Sequence, residues 1–502
     1  MFSMVSTLER LAKNFPFDKA IIEEDGTIET WSTHIDRVSR LSRGLINNGV
    51  KSGEIFGILG LNSADQARLI HAGYWSGQIP MPINFRLSPT EIIKILDKSK
   101  ARTLFVSDDF SDAALKLKSG GWGGRVFGLG DSKIGLSSTN QMVEESEKES
   151  PIISSEEDEA ILLFTGGTTG EGKGVLLSHK NIISNGFQVA TALTVSRSDT
   201  FLHVAPMFHS ADLLGTAVTL VGGSHCYMSQ PSPQNLINTI AKKEITMVMT
   251  PPVLLKGIVE SERNTQNDFT NLRIFICGGS PVPLKLLLKG EKIFPKTSMI
   301  QGYGLTETSP ILSFLNIQEV RKEECSEALQ SSGKPLPGIE MRTNEGSEIG
   351  ELEVRGPNVF KGYFRNQSAT TNHFNKDWFK TGDIGRFDSR GYVHILDRQK
   401  DMIITGGENV YSLQVEDIIL EHSKVAEVAV LGLPDKKWGE KVVAAVVPKK
   451  DQIITSQELS NFCETKIGKY KIPKDYYFLE SLPKTPLGKT LKATLKKNLL
   501  KN

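Results

Sequence analysis

The sequence predicts an α/β protein with a large N-terminal domain of mostly parallel sheets with packed helices plus a small β region, followed by a small mobile α+β domain. Three observations predict it. Apolar runs of strand length alternate with amphipathic, helix-length stretches through most of the first 330 residues. Several of those runs end directly in Gly- or Pro-containing loops, where open α/β sheets hold their ligands. The texture then changes after about residue 333 to short strands and turn-rich sequence.

In chain order, the predicted strands of the first part are Ile55 to Leu61, Thr103 to Ser107, Ala160 to Phe164, Ile245 to Met249 and Leu272 to Cys277. Residues 118 to 135 are glycine-rich, and 142 to 158 acidic and serine-rich, so both are read as surface loops. Glu351 to Val354 and Tyr392 to Leu396 form the small β region. From about Lys400 a compact unit follows. Ser412 can cap a helix running to about Glu421, the strands Val425 to Leu431 and Lys441 to Val447 come next, Ser456 opens a second helix, and Tyr476 to Leu479 is the last strand. The expected domains are therefore 1–398 and 399–502, with a hinge near Lys400.

A chain of 502 residues exceeds a single core, and 39% hydrophobic with 23% charged residues is a globular balance. Fifty-nine basic against 58 acidic side chains leave a net charge of +1, with no global field to attract nucleic acid or an anionic membrane. No run of about 18 apolar residues marks a membrane span. Cys226, Cys277, Cys325 and Cys463 are too far apart for a zinc pattern. They suit a reducing compartment, and the N-terminus lacks a secretory h-region, so a cytoplasmic location is expected.

The chemistry concentrates in Phe164-Thr-Gly-Gly-Thr-Thr-Gly-Glu-Gly-Lys-Gly174, between the apolar strand ILLF and a helix that Ser178 can cap. Its glycines let backbone approach a polyphosphate, while Thr165, Thr168, Thr169 and Lys173 supply donors and charge. Gly167 to Lys173 also fits G-x-x-x-x-G-K, but the following place, Ser or Thr in a Walker loop, is Gly174. The stretch closely resembles the phosphate-binding signature of the adenylate-forming superfamily: acyl-CoA synthetases, firefly luciferase and peptide-synthetase adenylation domains. Gly166 replaces the usual Ser and Gly172 the usual Pro.

Other blocks follow in that family's order from about residue 10 to 495. They include Gln301-Gly-Tyr-Gly-Leu-Thr-Glu-Thr308, Gly350-Glu-Leu-Glu-Val-Arg-Gly-Pro357, Trp378-Phe-Lys-Thr-Gly-Asp383, Asp397-Arg-Gln-Lys-Asp401 and Lys484-Thr-Pro-Leu-Gly-Lys489. The resemblance implies an AMP-forming acyl-CoA synthetase that uses ATP, Mg²⁺ and coenzyme A on a fatty or aromatic acid. It implies that Thr165, Gly166, Gly167, Thr168, Thr169, Gly170 and Lys173 face ATP, together with Gly278, Gly279, Ser280, Gln301, Gly302, Tyr303, Gly304 and Thr306. Glu307 attends Mg²⁺, Asp383 the ribose hydroxyls and Arg398 the nucleotide, while Lys489 serves the α-phosphate and substrate carboxylate. Thr168, His209, Glu307 and Lys489 are the implied catalytic set.

Phe208, His209 and Gly304 are expected at the acyl pocket. Amino-acid-activating members carry an aspartate where His209 stands, so an uncharged acyl body is expected; a buried core histidine is the plain alternative. Gly406, Gly407, Trp438, Lys469 and Lys471 are candidates for coenzyme A, or ordinary surface residues. Rotation about Lys400 is the family's way of exchanging Lys489 for the 406–408 loop between half-reactions. The alternative kept open is an acyl-AMP ligase that loads a separate carrier protein. A luciferase-type oxygenase, a Walker ATPase and a non-enzymatic scaffold are more distant rivals. Partners are the acid, ATP and coenzyme A, with no nucleic acid and no integral membrane association, and with a homodimer left open.

Overall fold

The computed structural model describes residues 2–132, 136–152, 155–165, 172–261, 269–323, 325–485 and 488–500. A nine-stranded sheet organises the first part. Its strands Lys19–Ile22, Ser224–Tyr227, Thr200–His203, Met247–Thr250, Ile274–Gly278 and Ser298–Tyr303 run parallel in that spatial order. Successive side chains of a strand face opposite sides, so a sheet covered on both faces needs near-continuous apolar strands. Met247 and Met249 enter one core and Val248 the other; likewise Ile274 and Ile276 oppose Phe275 and Cys277.

A second, four-stranded parallel sheet joins Ile79–Pro82, Ile55–Leu59, Thr103–Val106 and Arg125–Gly128. Its own core includes Leu59, Met81, Leu104 and Val106. A five-stranded, mainly antiparallel sheet contains Gly350–Arg355, Trp378–Phe387 and Val393–Arg398. Beyond Ile403, a long hairpin of Val425–Asp435 and Gly439–Pro448 centres the last sheet. Val428 and Val430 pack into a core on one face, Ala429, Leu431 and Leu433 into another on the opposite face. Among the described residues no helix is long and apolar enough to cross a membrane.

Several expectations change. A further strand stands between the phosphate motif and the expected helix: Lys173–Ser178 pairs antiparallel with Glu159–Thr165. Ser178 does cap the helix His179–Ala192, through a reciprocal capping box with Asn181. Within the segments read as loops, Arg125–Gly128 is a buried-edge strand and Thr139–Glu145 a short helix held by Ser138. The helix Ser412–Leu420 starts one residue earlier than expected, with Tyr411 and not Ser412 at its N-cap, whereas Ser456 opens the helix Ser456–Glu464 as expected, capped by Thr455.

Candidate active site

The parallel strands end together at one edge of the large sheet, and the motif residues gather there. Gly278 pairs in register with Gly302, and a Cβ on Gly278 would lie 2.6 Å from the Gly302 carbonyl oxygen. Only glycine permits that approach. Gly279 takes φ +82°, turning the chain toward Ser280, and Gln301 lies on the neighbouring strand. Gly304 is equally constrained, since a Cβ there would collide with the Pro310 carbonyl.

Tyr303 donates its hydroxyl to Asp383 Oδ2 at 2.7 Å, and Arg398 Nε meets Asp383 Oδ1 at 2.7 Å. The two acidic oxygens are thus both engaged, and Asp383 is 2% exposed. Burial pushes its carboxyl above the usual range despite Arg398 and the Tyr303 hydroxyl. A vicinal diol arriving at Asp383 must share or displace these partners. Antiparallel pairing of Asp383 with Arg398 places the two opposite each other across the sheet.

Lys489 reaches this cluster from the C-terminal part. Thr485 N–H donates to the Lys489 carbonyl at 2.7 Å, and Lys489 N–H donates to Thr485 Oγ1 at 3.1 Å, closing a tight loop. Gly488 in that loop sits against Val253 of the helix Pro252–Glu260. The Lys489 side chain stays open to the cleft, yet protein around its ammonium lowers its pKa to about 8, aided by the charge of Arg398 and opposed by Asp383.

A second cluster forms around Tyr363. Its hydroxyl donates to Glu307 Oε1 at 2.8 Å, and the Lys173 ammonium lies 4.7 Å from its ring centroid. Lys173 Nζ also donates to His373 Nε2 at 3.1 Å; His373 Nδ1 lies 2.8 Å from the Ala369 carbonyl, which fixes Nδ1 as donor and Nε2 as acceptor. Thr306 Oγ1 lies 3.0 Å from Ser210 Oγ, tying this segment to the turn that follows His209. Among the described residues no group of three His, Cys, Asp or Glu side chains could hold a metal by itself. A magnesium ion bound by one carboxylate plus phosphates and water still fits, because Tyr363 occupies one oxygen of buried Glu307 and orients the other.

His209 begins a 3₁₀ turn over Ser210–Gly215, and its Nδ1 accepts from Ala211 N–H at 3.2 Å. Burial lowers its pKa to about 4, so the ring is neutral. It lines a small cavity with Ala205, Ala211, Met249, Thr250, Pro251, Gly278 and Gly279. That wall contains neither Gly304 nor Phe208, whose ring lies edge-on to Phe85 at 5.3 Å.

Of the coenzyme A candidates, Gly406 and Gly407 turn a hairpin with φ +60° and +85°, and Gly406 N–H donates to the Trp438 carbonyl at 2.8 Å. Lys469 and Lys471 stand on a separate turn, where Lys471 donates to Gln414 Oε1. Thr165 donates its hydroxyl to the Lys173 carbonyl at 3.3 Å, while Gly166, Gly167, Thr168, Thr169 and Gly170 lie outside the described residues. Sequence reasoning missed Tyr363 and His373. Tyr363 follows the Gly350–Pro357 block by only a few residues, which was the available signal; His373 had none.

Residues 8–364 match the AMP-binding enzyme family and residues 414–489 the AMP-binding enzyme C-terminal domain. The chain is 31% identical over 500 residues to a feruloyl-CoA synthase from Amycolatopsis sp., covering 97% of each chain. It is 30% identical over 487 residues to the 2-succinylbenzoate–CoA ligase of Bacillus subtilis (strain 168), covering 95% of this chain and 94% of the relative. The structure of o-succinylbenzoate coenzyme A synthetase from Bacillus subtilis, in complex with ATP and magnesium ion, superposes with a TM-score of 0.85 at 29% identity over 99% of both chains.

Proposed function

This chain belongs to the AMP-binding enzyme family, and from that premise we propose that it is an AMP-forming acyl-CoA synthetase acting on an aromatic acid. A carboxylate, ATP and coenzyme A give acyl-CoA, AMP and pyrophosphate through an acyl-adenylate. The observation that carries this reading is the convergence of Tyr303, Asp383, Arg398 and the C-terminal Lys489 at one cleft.

In the first half-reaction a carboxylate oxygen attacks the α-phosphorus, and pyrophosphate leaves with the bridging oxygen's electron pair. Both reactants are anions, so positioning and charge neutralisation supply most of the acceleration. Lys173, held by His373 and Tyr363, faces the outer phosphates; Lys489 meets the bridging oxygen between α-phosphate and acyl group; Asp383 takes the ribose hydroxyls. Magnesium bound at Glu307 would spread the charge of the departing pyrophosphate. Neutral His209 leaves an uncharged wall beside the acyl carbon.

In the second half-reaction the thiolate of coenzyme A attacks that carbonyl and AMP departs. The cleft holding Lys489 must be reorganised for the thiol, and rotation about Lys400, between units 1–398 and 399–502, answers that need. Gly406, Gly407 and Trp438 then border the pantetheine path, with Lys469 and Lys471 toward the nucleotide end. Widely spaced cysteines support a cytoplasmic location. The test is mass spectrometry of reactions with and without coenzyme A. Acyl-adenylate without it and acyl-CoA with it support the reading; ADP and phosphate release independent of acid would reject it.

A further inference from the structure

Asp397 stands one residue before Arg398, and a strand turns successive side chains to opposite faces. Arg398 faces Asp383 and the cleft, whereas Asp397 faces the C-terminal unit. Its strand, Val393–Arg398, is fixed in the five-stranded sheet, where Asp397 pairs with Ile384. Gln399 N–H still donates to the Gly382 carbonyl at 2.9 Å, so the chain keeps its place on that sheet up to Lys400.

The Asp397 carboxylate reaches across this point. Oδ1 accepts from Arg398 N–H at 2.7 Å, and Oδ2 accepts from Ser412 N–H, 15 residues further on. Ser412 opens the helix Ser412–Leu420, whose N-cap Tyr411 makes no side-chain bond and whose first turn holds no acidic residue. A helix N-terminus presents unpaired N–H groups and a partial positive charge, and a carboxylate answers both. Asp397 supplies that carboxylate from the far side of the hinge. The Ser412 hydroxyl accepts from Lys492 Nζ, and the same ammonium pairs with Glu416 Oε1 at 2.6 Å. Lys492 lies three residues beyond Lys489, and its charge steadies the Asp397 carboxylate against burial. Val415 and Ile419 root the first helix in one core of the C-terminal unit, and Leu495 roots the helix of Lys492 in the other. Holding Ser412 and Lys492 therefore holds both helices, and with them the loop of Lys489.

We propose that Asp397 is a positioning residue for the first half-reaction: capping Ser412–Leu420 from across the hinge, it holds the C-terminal unit where Lys489 enters the cleft. The assignment rests on the acyl-CoA synthetase reading and deepens it. Rotation about Lys400 carries Ser412 and Lys492 away from a strand that stays in place, so the contact opens before thioester formation. Asp397, now buried, then returns to water, and the helix loses its cap. The contact thus favours one half-reaction and opposes the other, whereas a residue that only stabilised the fold would serve both alike.

The test times the two half-reactions separately: pyrophosphate release from acid and ATP, and thioester formation from presynthesised acyl-adenylate and coenzyme A. Removing a carboxylate cap shifts the balance between the two arrangements by about fivefold. Asp397→Ala should therefore lower kcat/KM for ATP in pyrophosphate release about fivefold, while thioester formation stays within about twofold of wild type or rises. Asp397→Asn keeps an oxygen for Ser412 N–H and should lose only about twofold in pyrophosphate release. Its split between the half-reactions decides the matter if the alanine variant folds poorly. Equal loss in both half-reactions, or loss in neither, overturns the assignment and leaves the enzyme reading standing. Absence of both reactions in the wild type overturns both.

Discussion

Lys489 offers a prediction whose size follows from its surroundings. Burial and the nearby positive charges of Arg398 and Lys400 lower its pKa to about 8, against the pull of Asp383 and Asp401. Raising pH removes the very charge that is to meet the α-phosphate. With a pKa of about 8, about nine in ten molecules are charged at pH 7 and about one in ten at pH 9, whereas an ordinary lysine near 10.4 would lose only a few per cent. Since kcat/KM reports the free enzyme, its value for ATP in pyrophosphate release should fall about ninefold across that span. Lys489→Arg remains charged throughout, so its lower activity should stay flat. Thioester formation from presynthesised acyl-adenylate should show no such fall, because the thiolate that attacks there becomes more abundant as pH rises. A level wild-type profile to pH 9, or an equal fall in Lys489→Arg, would refute the reasoning.

Tyr363→Phe removes the donor that orients Glu307, and should raise the Mg²⁺ concentration for half-maximal adenylation about tenfold; an unchanged titration contradicts it. Gly304→Ala forces a methyl into the Pro310 carbonyl and should cost about 3 kcal/mol or more in a denaturant melt. Lys492 pairs with Glu416 at 2.6 Å, with side chains 14% and 13% exposed, so Lys492→Met should destabilise the C-terminal unit by about 3–5 kcal/mol. The paired change Lys492→Met with Glu416→Leu should recover most of that loss. Lys400→Pro should slow thioester formation far more than pyrophosphate release, and equal slowing would remove the hinge from Lys400.

Strand positions were legible where apolar runs were continuous, because a parallel sheet buried on both faces leaves no alternation to misread. Ile274–Gly278 and Met247–Thr250 fall within two residues of expectation for that reason. Arg125–Gly128 was hidden by surrounding glycines and by Arg125, whose charge belongs at an edge. The Lys173–Ser178 strand was hidden because its motif resembles a strand-to-helix phosphate loop, and only its antiparallel partner Glu159–Thr165 reveals it. In the site, motif residues were legible individually, but their pairing was not. Nothing along the chain says that Tyr303 and Arg398 share Asp383, or that His373 meets Lys173 from 200 residues away.

The claim that the acid is activated through its own oxygen has a direct test. Acid labelled with ¹⁸O in its carboxylate is incubated with the enzyme, ATP, Mg²⁺ and coenzyme A, and the products are weighed by mass spectrometry. Attack on the α-phosphorus leaves one labelled oxygen in AMP and none in pyrophosphate. Label in inorganic phosphate together with ADP, or unlabelled AMP beside acyl-CoA, would contradict the acyl-adenylate route.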